Sequence, residues 1–150
     1  MKRIVADASA LLPAWLPSEQ HQVYADRLIE RHADGELELC APTLLGYEIL
    51  NGLFLAVRGK AGRPPRLTMA GAKERWLLFQ DLQIVMEKID PVGTRALELA
   101  SEYQLSSAYD AAYLAIAEQL GAVLVTADER LLNAVQSKLR WVKTLRDFEP

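Results

Sequence analysis

Short apolar runs alternate with longer segments of helical periodicity along the chain. The apolar runs at 3–6, 37–40, 84–89, 122–126 and 141–142 predict five strands. The stretches between them predict helices over 18–34, 43–57, 68–82, 90–103 and 107–120, with a shorter helix after Asp128. Strands that alternate with helices form a parallel sheet that is covered on both faces. We therefore expect an α/β fold, a three-layer α/β/α sandwich with a central, mostly parallel sheet of about five strands.

Residues at the ends of these segments predict where the helices begin and end. The expected N-caps are Ser18, Thr43, Thr68 and Asp90, the last followed by a proline at the first helical position. Gly35 and Gly121 are expected to end the helices that precede them. The segment from Arg58 to Arg66 holds two glycines and two prolines, so we expect it to break regular structure.

Length and composition favour one soluble domain over residues 1–150. The net charge of −3 argues against a protein that coats nucleic acid through clustered Lys and Arg, but allows an enzyme with a local basic patch. The single cysteine, Cys40, has apolar neighbours and is expected to be buried in a protein of the reducing cytoplasm. No run approaches the roughly 20 apolar residues of a membrane span, and Asp7 interrupts any signal-peptide pattern.

Two aspartates follow predicted strands. Asp7 comes directly after the first strand, and Asp128 comes two residues after the strand over 122–126. Ligands in open α/β sheets bind beyond the carboxyl ends of the strands, so both side chains should face one crevice if their strands are neighbours. Each aspartate alone is equally well explained as a helix N-cap. Two of them at equivalent strand ends favour a shared site.

Two further acids lie on predicted helices. Glu48 belongs to a helix that is apolar on nearly all sides, which predicts a buried helix, and no basic residue lies one turn away. A buried carboxylate is costly unless it faces a cation, although Glu48 could instead stay solvated at the helix edge. Asp110 fits a capping box with Ser107. Alternatively it joins the site, because its helix is rich in small residues and would pack closely against the sheet.

A hard divalent cation would relieve the repulsion among four carboxylates in one crevice. Mg²⁺ prefers oxygen ligands, keeps several waters and is usually shared with substrate phosphate. The sequence has no cluster of Cys and His residues, so a structural zinc site is not expected, and it has no glycine-rich phosphate loop. His21 and His32 lie on the first long helix, away from the acids, and are expected at the surface. A Ser/His/Asp catalytic site is therefore disfavoured.

Four motifs, in this order, resemble the PIN-domain family and most closely its VapC-type toxin ribonucleases. They are Val5-Ala6-Asp7-Ala8-Ser9-Ala10-Leu11, Pro42-Thr43 leading to Glu48-Ile49-Leu50-Asn51, Ala108-Tyr109-Asp110-Ala111-Ala112-Tyr113-Leu114-Ala115 and Leu124-Val125-Thr126-Ala127-Asp128-Glu129-Arg130-Leu131. The resemblance covers essentially the whole chain. It implies a single PIN-like nuclease domain, an endoribonuclease that depends on Mg²⁺ or Mn²⁺.

The same resemblance implies roles for individual residues and for partners. The metal-binding and catalytic acids would be Asp7, Glu48, Asp110 and Asp128, with Ser9 and Thr126 as supporting polar groups. It also implies homodimers and a cognate antitoxin protein that fills the active-site groove. The candidate contacts to RNA phosphates are Arg58, Lys60, Arg63 and Arg66, with Arg130 beside Asp128. A loop kept polar for solubility is the alternative for the first four.

Two other functions stay open at this point. The main alternative is a catalytically weak PIN-like module that binds RNA or a protein. The third is a phosphoacceptor signalling domain, in which a strand-end aspartate binds Mg²⁺ and accepts phosphate. The sequence after the first strand, Asp7-Ala8-Ser9, lacks the second acid of that design, although Lys143 near the last strand could supply its lysine.

Overall fold

The computed structural model describes residues 1–17 and 20–148. Its five strands are β1 (Lys2–Ala6), β2 (Leu37–Pro42), β3 (Val85–Glu87), β4 (Val123–Thr126) and β5 (Val142–Thr144). Its seven α-helices are α1 (Ala8–Leu11), α2 (Gln22–Ala33), α3 (Leu44–Arg58), α4 (Met69–Asp81), α5 (Gly93–Glu102), α6 (Ala108–Leu120) and α7 (Glu129–Val135). Short 3-10 turns occupy Leu12–Ala14 and Asp90–Val92. The helices over residues 1–17 and 20–148 include none with the length and hydropathy of a membrane span.

All five strands are parallel and lie in the order β3-β2-β1-β4-β5, which confirms the predicted fold class. The central strand β1 pairs with β2 through Val5 and Cys40, and with β4 through Val5 and Leu124. These three side chains are fully buried, as expected for strands covered on both faces. Cys40 is therefore the buried apolar residue that its neighbours predict.

The strand order reverses at β1, and this reversal creates a crevice at one edge of the sheet. The chain runs outward from β1 to β2 and β3, then returns to place β4 on the other side of β1. Ligand sites of doubly wound folds lie at the carboxyl ends of the strands where the order changes. Asp7 follows β1 directly and Asp128 follows β4, and the pairing of β1 with β4 meets the condition under which the two side chains were expected to face one crevice.

Several predicted helix ends are confirmed and others need correction. Thr68 caps α4 by accepting a 3.0 Å hydrogen bond from the Gly71 amide, and Gly121 ends α6 in the left-handed conformation. Thr43 lies at the N-cap of α3, but its side chain makes no capping bond. The assignment of Asp90 as an N-cap is wrong, because the proline turn is 3-10 and α5 begins at Gly93. The expected cap at Ser18 lies outside the described residues.

The prediction that α3 is buried on all sides is wrong. One face, with Leu45, Ile49 and Leu53, is buried against the core. The opposite face is apolar but open to solvent, and Tyr47 and Phe54 are 73% and 51% exposed. Apolar composition alone could not separate a helix buried in its own chain from one whose second face is left uncovered.

The basic segment after α3 contains a tight turn. The backbones of Lys60 and Arg63 bond to each other in both directions, at 3.0 and 2.7 Å. Gly59 has a φ of +69°, and a Cβ there would lie 2.9 Å from the Arg63 carbonyl oxygen, so the turn requires glycine. The predicted break in regular structure is confirmed, apart from Arg58, which is the last residue of α3.

His32 is not the surface residue that the sequence predicts. Its Nδ1 accepts a 3.1 Å hydrogen bond from the Leu39 amide, and its Nε2 donates a 2.7 Å bond to the Leu82 carbonyl. This pair of bonds requires the neutral ring with its proton on Nε2. His32 therefore links α2 to the strand β2 and to the segment before β3, and has a structural role.

Candidate functional site

The Asp7 carboxylate lies at the end of β1, where it is 7% exposed and caps α1. Its Oδ1 accepts a 2.6 Å bond from the Ser9 hydroxyl and a 3.2 Å bond from the Ala10 amide. Its Oδ2 accepts a bond from the hydroxyl of Thr126, the last residue of β4. Ser9 and Thr126 are held in turn by the amides of Ala127 and Asp128, at 2.9 and 3.0 Å. The two strand ends are thus joined by one polar network.

The environment of Asp7 makes its negative charge costly. Burial raises its pKa to about 6, against the lowering effect of the bonds from Ser9, Thr126 and Ala10. The charge of Glu48 raises it further. Three donors are therefore insufficient to compensate for the loss of solvent around this carboxylate.

Glu48 lies in the second turn of α3 and is half-buried. The hydroxyl of Tyr113, from α6, donates a hydrogen bond to its Oε1. Loss of solvent raises the pKa of Glu48, the Tyr113 bond lowers it, and the charges of Asp110 and Asp128 raise it again. Glu48 therefore interacts electrostatically with each of the other three predicted acids, since its charge also raises the pKa of Asp7.

Asp110 and Asp128 complete the acidic group from two different helices. Asp110 lies in the first turn of α6, and burial together with the charge of Asp128 raises its pKa. The capping-box alternative is not supported, because the Ser107 side chain makes no capping bond. Asp128 does cap α7, since its Oδ1 accepts bonds from the Arg130 and Leu131 amides at 2.9 and 3.3 Å. Capping thus occupies one of its oxygens, Oδ1.

The donor set suits a hard cation with an open coordination sphere. Within residues 1–17 and 20–148, no ion pair joins any of the four carboxylates to Lys, Arg or His. In the same part of the chain, no group of three or more Asp, Glu, His or Cys side chains is arranged so that it could hold a metal ion. Mg²⁺ usually keeps several waters and takes only one or two carboxylates plus substrate oxygens, so an open acidic group fits it.

The predicted basic contacts lie at two different distances from the acids. Arg130 is exposed and two residues beyond Asp128, at the start of α7. Arg58 lies ten residues after Glu48 on the same helix, which corresponds to about 15 Å along the axis. Lys60, Arg63 and Arg66 follow it and are exposed at that far end of α3. Arg130 therefore lies beside Asp128 in the chain, whereas the other four basic residues lie at the end of α3 or beyond it.

Tyr113 is the site residue to which sequence reasoning assigned no role. It stands three residues after Asp110, so both side chains lie on one face of α6. A hydroxyl inside the otherwise apolar stretch over 111–117 is the signal that could have identified it, because a buried hydroxyl requires a partner.

Comparison with known proteins identifies the family. The model of the PIN domain family matches residues 4–136. Ribonuclease VapC3 of Pyrobaculum aerophilum is 32% identical over 130 residues, which are 86% of this chain and 92% of that protein. Ribonuclease VapC9 of Mycobacterium tuberculosis is 33% identical over 135 residues, 90% of this chain and 93% of the relative.

A solved structure shares the fold. The crystal structure of PAE2754 from Pyrobaculum aerophilum matches with a TM-score of 0.64, covering 97% of this chain and 92% of that one. Its sequence identity of 24% means that this likeness supports the architecture alone. The family match and the two relatives extend over nearly the whole chain. The chain therefore belongs to the PIN-domain family.

Proposed function

We propose that this protein is an endoribonuclease that requires Mg²⁺ or Mn²⁺, acting in the cytoplasm as the toxin of a toxin–antitoxin pair. The observation that carries the proposal is the acidic group at the carboxyl edge of the sheet. Burial and the charges of neighbouring acids raise the pKa of Asp7, Glu48 and Asp110, and among the described residues no ion pair joins any of the four acids to a cationic side chain. The curated relatives named as ribonucleases supply the reaction class.

The acids Asp7, Glu48, Asp110 and Asp128 would hold the metal ion. When bound, the ion supplies a water of lowered pKa and positive charge for the scissile phosphate. The polar network of Ser9 and Thr126 keeps the Asp7 carboxylate fixed, and leaves Oδ2 with one described partner against two on Oδ1. The acids repel RNA by themselves, so cleavage requires the ion.

The positive charge that binds the RNA backbone comes from arginine and lysine side chains at two places, one near the acids and one at the far end of α3. Arg130 lies close enough to Asp128 in the chain to contact a phosphate next to the cleaved bond. Arg58, at the end of α3, lies about 15 Å from Glu48 along the helix axis. It would contact phosphates further along the strand, together with Lys60, Arg63 and Arg66 of the following loop.

Protein partners would cover the exposed apolar face of the molecule. A groove of about 430 Å³ runs between α3 and α4 and is lined by Leu50, Phe54, Val57, Met69, Trp76 and Leu77. Contiguous apolar surface of this kind is uncommon on a protein that stays monomeric. In this proposal the groove joins two copies of the chain, and a cognate antitoxin closes the acidic crevice.

Cleavage of a labelled single-stranded RNA by the purified protein tests the proposal. Mg²⁺ or Mn²⁺ should support internal cleavage, and EDTA should abolish it. Asp7→Asn and Glu48→Gln should lose cleavage while staying folded, whereas Glu74→Gln, which changes an exposed carboxylate on α4, should match the wild type. Undiminished cleavage in EDTA or by Asp7→Asn would contradict the assigned site. Metal-independent binding of RNA without cleavage would favour the weak binding module instead.

A further inference from the structure

Tyr113 is a polar residue in the most buried part of α6. Residues 111–117 are all buried, and Tyr113 is 2% exposed. Its hydroxyl is the only side-chain polar group of that stretch and donates to Oε1 of Glu48. The bond therefore crosses from the interior of one helix to the acidic side chain of another.

We propose that Tyr113 is a positioning residue that orients Glu48 toward the divalent ion. The proposal rests on the proposed function, because it assumes that Glu48 is a ligand of that ion. With Oε1 engaged by the hydroxyl, the carboxylate offers Oε2 to the metal. Tyr113 itself touches neither the ion nor the substrate.

The rigidity of the donor supports this role. A glutamate side chain has several rotatable bonds, and ordering it costs conformational entropy when the ion binds. The phenol ring has only two rotatable bonds and is packed on all sides in a buried helix. Glu48 therefore meets the ion with its orientation already set, and part of the ordering cost is removed beforehand. Partners that orient metal ligands in this way strongly affect metal affinity in other proteins.

The position of Tyr113 on α6 couples two of the acids. Asp110 and Tyr113 are separated by one helical turn on the same face. The helix thus supplies one acid directly and orients a second acid, which belongs to α3. Among the described residues, Tyr113 is the hydrogen-bond partner of the Glu48 carboxylate, and no ion pair replaces it.

The test is Mn²⁺ binding by isothermal titration calorimetry, without RNA, in the wild type and in Tyr113→Phe. The substitution removes one oxygen atom, and far-UV circular dichroism verifies the fold. We expect the Kd for Mn²⁺ to rise about 10- to 100-fold. The matched control is Tyr109→Phe, which removes the hydroxyl of a 65% exposed tyrosine on the same helix and should bind like the wild type. Wild-type affinity in Tyr113→Phe would overturn the proposal.

Cleavage assays and a double-mutant cycle separate positioning from a general structural effect. In Tyr113→Phe, the half-saturating Mg²⁺ concentration should rise by the same factor while the KM for RNA at saturating metal stays unchanged. In a Glu48→Ala background, Tyr113→Phe should produce no further loss of Mn²⁺ affinity. If Tyr113→Phe lowers the Mn²⁺ affinity of Glu48→Ala as much as it lowers that of the wild type, Tyr113 does not act through Glu48.

The proposed function and this inference can fail separately. If the wild type neither binds Mn²⁺ nor cleaves RNA, the proposed function is wrong and the inference falls with it. If the wild type does both and Tyr113→Phe does both equally well, only the inference is wrong.

Discussion

Thr126 donates a hydrogen bond to Asp7 and so joins the ends of β4 and β1 at the acidic edge of the sheet. The two residues are 119 positions apart, and both are buried. The Thr126 hydroxyl also accepts a hydrogen bond from the Asp128 amide. One hydroxyl therefore contacts both Asp7 and Asp128, the two predicted metal ligands that follow neighbouring strands. Thr126 therefore helps to fix the relative position of these aspartates, together with Ser9, which links Asp7 to the Ala127 amide.

Replacing Thr126 by valine should destabilise the protein and weaken its activity. The change keeps the shape but removes the donor to Asp7 and the acceptor of the Asp128 amide. We expect the free energy of unfolding to fall by about 1–3 kcal/mol in urea denaturation, and cleavage to fall by about 10- to 100-fold. Thr126→Ser keeps the hydroxyl and should behave nearly like the wild type. Equal stability in the valine and serine variants would contradict the role of the bond.

Asp7 should make the metal-free protein less stable as pH rises. Its pKa is raised to about 6 in the folded state from the ordinary value of 3.8, so the folded protein holds this proton more tightly than the unfolded chain does. Asp7 does not change the free energy of unfolding below about pH 4. Above about pH 6 it lowers that free energy by about 3 kcal/mol. Denaturation of the EDTA-treated protein from pH 4 to pH 8 measures this effect.

The variant Asp7→Asn isolates that contribution. It cannot titrate, so its free energy of unfolding should vary less with pH, and at pH 8 it should exceed that of the metal-free wild type. A pH dependence identical to that of the wild type would show that Asp7 is not the group responsible.

Arg130 and the basic loop should differ in their effects on RNA. Arg130→Gln, next to Asp128, should lower cleavage and reduce the slope of binding affinity against salt concentration by about one. Arg63→Gln, at the far end of α3, should alter binding of long RNA but leave cleavage of short oligonucleotides unchanged. Titrations at several salt concentrations, with RNA of two lengths, check both expectations. Loss of short-RNA cleavage in Arg63→Gln alone would reverse the assignment.

Charge placed in the apolar groove should prevent self-association. Phe54 is 51% exposed and lines the groove between α3 and α4, so Phe54→Glu should convert a dimer to a monomer in analytical ultracentrifugation. Val23→Glu, at a 58% exposed position on α2, is the control and should stay dimeric. A wild-type protein that sediments as a monomer at all concentrations would contradict the homodimer.

The alternation of strands with helices and the acids at the strand ends could be predicted because each depends on local pattern, whereas the order of the strands in the sheet was not predicted. Continuous apolar runs predict buried parallel strands, and Asp7 and Asp128 follow such runs directly. The predictions that were wrong depended on contacts between residues far apart in the chain. Nothing near His32 in sequence indicates the Leu82 carbonyl that its ring contacts, and nothing near Phe54 tells whether its face is covered.

Tyr113 lies between these two cases. Its buried position follows from the apolar pattern of α6, whereas the identity of its partner depends on how α6 packs relative to α3. Capping by Asp128 does not exclude it from the proposed site, because one carboxylate oxygen caps α7 while the residue's charge still acts on Glu48 and Asp110.

We propose that four carboxylates from different parts of the chain share one divalent ion. The most direct measurement is the anomalous difference density of a crystal soaked in Mn²⁺. We expect a peak bounded by the side chains of Asp7, Glu48, Asp110 and Asp128. Absence of a peak there at saturating Mn²⁺, or a peak only elsewhere on the surface, would contradict it.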